Sequence, residues 1–110
     1  MNIHTKVLGD GVMVLKLVGK LNMVSASHLR DVISSAIVAG NSRMAIDLSD
    51  VDFMDSSGLG ALINGLKTAR QAGGDLRIAS PTEQVQLVLE LTNIDRVLKA
   101  YDDAESAFND

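Results

Sequence analysis

Asp55-Ser56-Ser57-Gly58-Leu59-Gly60 places a carboxylate, two hydroxyls and two glycines at the head of a stretch with helical apolar spacing. Glycine costs about 1 kcal/mol relative to alanine inside a helix, so its presence here asks for a reason. Several chemistries can be tested against the spacing. A phosphate-binding loop fails because Gly60 and Gly65 stand correctly apart but Leu66 occupies the lysine position. A dinucleotide fingerprint fails because Ile63 stands where the third glycine belongs. A hydrolase elbow needs glycine two residues before the serine, and Asp55 holds that place for Ser57. A serine–histidine pair would have to recruit His4 or His28; the pattern puts the first on an edge strand and the second in the first turn of a helix. Asp47, Asp50, Asp52 and Asp55 raise the question of magnesium, but loop carboxylates are commoner as turn formers. No catalytic residue, metal site or cofactor is assigned.

One of Asp55, Ser56 or Ser57 is expected to cap a helix running from Gly58 to about Ala72. Capping leaves the outer face of that helix unexplained. Leu59, Leu62, Ile63, Leu66 and Ala69 form the core stripe. Ser57, Ala61, Asn64 and Thr68 share the opposite side, with Gly60 and Gly65 on its flanks. Exposed helix faces usually carry Lys, Glu or Arg. A small, neutral face admits another backbone closely, and it reads as a docking surface.

The whole chain fits that reading. Its 110 residues suit one domain over 1–110, and 46% hydrophobic with 22% charged residues is ordinary for a globular protein. There is no cysteine, hence no disulfide or thiol chemistry. Ten basic and fourteen acidic residues leave a net charge of −4, and the basic ones are scattered along the sequence. With no Trp, one Tyr and two Phe, nucleic acid is a poor partner. No apolar run is long enough to span a membrane, so no membrane insertion is expected. The opening MNIHTKVLGDG lacks a signal-peptide pattern, and the expected location is cytoplasmic.

The elements that would hold the segment follow from periodicity. IHTKV (3–7) alternates as an edge strand, Gly9-Asp10-Gly11 is a turn, and VMVLKLV (12–18) is a central strand completing a hairpin. GKLNMVSAS (19–27) reads as a loop before a helix from about Ser27 to Ala39. RMAIDLS (43–49) is a buried strand and SDVDFMDSS (49–57) a loop. DLRIAS (75–80) is a strand. A helix should follow with Ser80 as cap, Pro81 at its first position and Glu83 at its third. VLKAY (97–101) ends the strands, and Asp102–Asp110 reads as a short acidic helix. The predicted fold is α/β: a mixed, mostly parallel sheet of four to five strands, an N-terminal antiparallel hairpin and about four helices.

IDLSDVDFMDSSGLGALINGLKTARQAGGDLRIAS closely resembles the signature of STAS domains, specifically the bacterial anti-sigma factor antagonists, and the flanking segments agree over nearly the whole chain. The resemblance implies a binding protein and not an enzyme. It implies partner switching in transcription regulation: the protein binds an anti-sigma factor, a kinase with a histidine-kinase-like ATPase fold, and so frees a sigma factor. The kinase would phosphorylate the second serine of the motif, Ser57, with Ser56 as the second candidate. A serine phosphatase would reverse the modification, and ATP would belong to the kinase. The expected partner-binding set is Asn22, Asp55, Ser56, Ser57, Gly58, Gly60, Ala61, Asn64 and Thr68. One departure stands out: where family members commonly have Gly-Glu-Leu-Asp, this chain has Gly19-Lys20-Leu21-Asn22. The alternative reading is a STAS interaction module in a non-sigma assembly, either a lipid-transport complex or a serine-phosphatase signalling chain.

Overall fold

The period-two runs near the N-terminus pair as a hairpin. In the computed structural model, which describes residues 1–109, Asn2–Val7 (β1) and Met13–Leu21 (β2) run antiparallel, from Asn2 opposite Val18 to Val7 opposite Met13. The turn closes with Leu8 N–H donating to Val12 O at 2.8 Å, and Gly11 takes the left-handed φ of +86° that it requires. The chain continues through Met23–Val38 (α1), Arg43–Met54 (β3), Ser56–Gln71 (α2), Asp75–Ala79 (β4), Glu83–Leu91 (α3), a 3-10 turn at Ile94–Arg96 and Ala100–Tyr101 (β5). The sheet order is β1-β2-β3-β4-β5, with β2 to β5 parallel.

Sequential parallel strands joined by right-handed crossovers put every connecting helix on one side of the sheet. The core shows this: Leu15, Leu17, Met44, Ile46, Leu76 and Ile78 pack with residues of α1, α2 and α3 in one cluster. The opposite face carries a smaller cluster of Val12, Val14, Ala45 and Ala79, covered by Ala104 and Ala107 from the C-terminal segment.

That segment corrects the expected fourth helix. Residues 102–109 form turns, and Asp110 lies outside the described residues. Their backbone is committed to tertiary partners: Arg77 Nη1 donates to Ala107 O at 2.9 Å, and the same guanidinium stacks 4.4 Å from the Phe108 ring centroid. The described chain therefore has three helices.

Other boundaries also move: α2 begins at Ser56 and not Gly58, and β5 is confined to Ala100–Tyr101 of the expected 97–101. α1 begins at Met23, because Asn22 caps it, so most of the expected loop at 19–27 is strand or helix. β3 extends to Met54 because Gly19, Lys20 and Leu21 pair with Val51, Phe53 and Met54, an edge that the acidic residues of SDVDF do not announce. α3 begins at Glu83 with Thr82 at its cap position, because Ser80 adopts φ +52° and spends its hydroxyl on Asp102 O at 2.6 Å. Pro81 thus precedes the helix instead of opening it.

Candidate functional site

The site is built where two parallel strands end together. Leu21 of β2 pairs with Met54 of β3, and the next residue of each strand caps the next helix. Asn22 Oδ1 accepts from Ser25 N–H at 3.2 Å, and Ser25 Oγ accepts from Asn22 N–H at 2.8 Å, a reciprocal capping box. Asp55 Oδ1 accepts from Gly58 N–H at 3.0 Å. The two turns are tied together, since Asp55 N–H donates to Leu21 O at 3.2 Å. The N-termini of α1 and α2 thus open on the same edge of the sheet.

The cap of α2 is therefore Asp55, and the serines are left over. Ser56 and Ser57 are the first two helical residues, the former exposed and the latter half-buried. Neither hydroxyl makes a hydrogen bond among the described residues. Two of the four N–H groups that a helix start leaves unpaired belong to these same residues. A negative group on Ser57 would meet those donors and the positive end of the helix dipole.

The glycines have a different purpose from the one a docking face suggests. A Cβ on Gly58 would strike Leu21 O and stand 2.6 Å from Leu21 Cγ. A Cβ on Gly65 would stand 2.8 Å from Ile33 Cδ1 and 2.9 Å from Leu76 Cδ1. These two glycines let α2 settle on β2, β4 and α1. Ala61 is wholly buried in the same core, which corrects its place on the outer face: α1 and the sheet together cover more of α2 than the leucine stripe alone. Of the expected face, Gly60, Asn64, Ser57 and Thr68 remain outside, an arc of about 80° at 3.6 residues per turn that exposed Gln71 shares. Gly60 is the glycine with space, Arg30 Nη2 lying 3.7 Å from where its Cβ would be. Thr68 uses its hydroxyl to donate to Asn64 O at 2.8 Å.

Two supports of the site carry no signal in the sequence. β4 pairs only with Arg43–Asp47, so the outer half of β3 lacks a strand neighbour on that side. Thr82 Oγ1 donates to Val51 O at 2.7 Å. Gln84 Oε1 accepts from Met54 N–H at 2.9 Å and Gln84 Nε2 donates to Met54 O at 3.3 Å. Side chains thirty positions along the chain complete the strand that delivers Asp55. The loop carboxylates have separate structural jobs: Asp47 accepts from Ser49, Asp50 pairs with Lys16 at 3.3 Å, and Asp55 caps.

Comparison with known proteins agrees over most of the chain. The STAS domain model matches residues 5–107. A Thermotoga maritima protein provisionally named an anti-sigma factor antagonist is 35% identical over 102 residues, covering 92% of this chain and 90% of that one. The anti-sigma F factor antagonist of Paenibacillus polymyxa is 26% identical over 101 residues, covering 91% and 86%. A crystal structure of a Thermotoga maritima protein with the same description superposes with a TM-score of 0.89 at 34% identity, covering 97% and 92%. Among the described residues no helix is long and apolar enough to cross a membrane.

Proposed function

The chain belongs to the STAS domain family, and from that premise we propose that it is an anti-sigma factor antagonist. It binds an anti-sigma factor at the edge where Asn22 and Asp55 cap their helices, and the bound sigma factor is released. The contact runs over Ser57, Gly60, Asn64 and Thr68, with Ser56 at the rim and Gly58 contributing backbone alone. The anti-sigma factor is a serine kinase with a histidine-kinase-like ATPase fold. Ser57 Oγ attacks the γ-phosphorus of the kinase's ATP, the hydroxyl proton passes to a base of the kinase, and ADP leaves. A serine phosphatase hydrolyses the phosphoserine and restores binding. The antagonist supplies the hydroxyl and its frame, acts in the cytoplasm and catalyses nothing itself.

One observation carries this reading: among the described residues the half-buried Ser57 hydroxyl has no hydrogen-bond partner, and it stands at an N-terminus already capped by Asp55. Phosphorylation adds about −1.5 to −2 charges. The helix end tolerates that charge without refolding, whereas a closely fitted neutral contact does not. The test is site-localised mass spectrometry after incubation with the kinase partner and ATP, together with binding measured before and after. Phosphate on Ser57 with affinity at least about a hundredfold weaker, roughly 2.7 kcal/mol, is expected. Unchanged affinity of the phosphorylated protein overturns the switch.

Gly19-Lys20-Leu21-Asn22 departs from the Gly-Glu-Leu-Asp that the family resemblance implies, and this departure leaves one further reading open. That reading is a STAS interaction module in a non-sigma assembly, either a lipid-transport complex or a serine-phosphatase signalling chain. Copurification with a membrane transporter instead of an ATPase would select it.

A further inference from the structure

Cations that are scattered in the sequence converge at the far end of α2. Lys67 and Arg70 in its last turns, Arg77 of β4, and Arg96 and Lys99 beyond α3 border two adjoining hollows. These are five of the chain's ten basic residues, in a protein of net charge −4. The larger hollow, about 440 Å³, has Ile63, Leu66 and Val97 among its lining residues. The smaller, about 160 Å³, is polar, and the two share Arg70 and Val97.

The charge is incompletely matched from within. Among the described residues Asp75 is the one carboxylate lining these hollows, and it accepts from both Arg70 Nε and Arg77 Nε at 3.1 Å. Lys67, Arg96 and Lys99 enter no ion pair among the described residues. Placement near a helix C-terminus explains Lys67 and Arg70 through the dipole, but Arg96 and Lys99 lie outside that helix. Val97, 46% exposed, puts an apolar side chain in the middle of the cationic rim.

We propose that this groove docks an acidic amphipathic helix of a partner protein. Its apolar face sits on Ile63, Leu66 and Val97, and its carboxylates meet Lys67, Arg96 and Lys99. Helix-in-groove binding needs this combination of concave apolar floor and charged rim. Ser57 and Arg70 are thirteen residues apart on α2, about 20 Å at 1.5 Å per residue, so the groove lies at the other end of the helix from the serine, with Lys67 adjoining Thr68 at the end of the proposed contact.

The probe is a helical peptide of about eighteen residues with leucines at i, i+3, i+4 and i+7 and glutamates elsewhere, compared by fluorescence anisotropy with a scrambled peptide of the same composition. The ordered peptide is expected to bind at least about tenfold more tightly than the scrambled one, and to weaken as salt shortens the screening length. Lys67→Glu with Arg96→Glu should reduce its affinity at least about tenfold at an unchanged thermal midpoint, while Ser57→Ala leaves it unaltered. Equal binding of both peptides, or indifference to the charge reversal, overturns the proposal. So does reversible self-association of the free chain that the double variant abolishes, since the occupant would then be a second copy.

Discussion

Asn22 and Asp55 stand side by side, each one residue past the paired Leu21 and Met54, and each capping the helix that follows. The pairing makes one edge of the sheet out of two helix N-termini. It also turns the departure at position 22 into a question about charge, because Asn and Asp cap equally well. Asn22→Asp should therefore leave stability within about 0.5 kcal/mol while changing phosphorylation rate or partner affinity severalfold. Paired kinetic and binding measurements check this; identical values in both forms would make the departure neutral.

Ser57 is not the cap, so removing its hydroxyl should cost almost nothing. Ser57→Ala is expected within about 0.5 kcal/mol of the parent in urea unfolding, whereas Asp55→Ala loses about 1 kcal/mol. Ser57→Ala should hold the partner constitutively and Ser57→Asp weakly. Ser56→Ala should still be phosphorylated. Phosphate localised to Ser56 in the parent would shift the switch by one residue.

Two glycines two positions apart in α2 predict opposite signs. Gly58→Ala forces a methyl onto Leu21 O and should destabilise by about 1–3 kcal/mol. Gly60→Ala meets only Arg30 at 3.7 Å and should stabilise by about 0.5–1 kcal/mol through helix propensity. Thermal denaturation of the two variants decides, and matching signs would refute the packing account.

Ala61 and Asn64 separate the core from the proposed contact surface. Ala61→Glu buries a charge at a wholly enclosed position and should unfold the domain or cost more than about 3 kcal/mol. Asn64→Arg, at an exposed position, should stay within about 0.5 kcal/mol in stability and lose about 2 kcal/mol or more of partner binding. A folded Asn64→Arg variant that binds normally would move the contact off this face.

Gln84 holds the end of β3 from outside the motif. Gln84→Ala leaves Met54 N–H and O unpaired in a part-buried setting and should cost about 1–3 kcal/mol. Hydrogen exchange at Met54 and Asp55 should accelerate with it, and unchanged protection there would show that β2 alone fixes the strand end.

The sequence by itself determined the elements whose signals are local. Alternation marks β1, a near-continuous apolar run marks β2, helical spacing marks α1 and α2, and DSSGLG marks the strand-to-helix junction, because propensity and periodicity act over a few residues. Tertiary structure decided whatever depended on distant partners. β3 reaches Met54 because β2, Thr82 and Gln84 satisfy its backbone, although its own residues read as loop. The C-terminal segment stays in turns because Arg77 and the small cluster beneath it claim its backbone and side chains. Asp55, not a serine, became the cap because the end of β3 fixes its backbone against Leu21. Ala61 and Gly65 went inward because a helical wheel shows where side chains point but not how many neighbours surround the helix, and α2 is flanked by α1 as well as the sheet. The cations at 67, 70, 77, 96 and 99 gathered for the same reason: sequence distance says nothing about proximity once crossovers bring strand starts and helix ends to one edge.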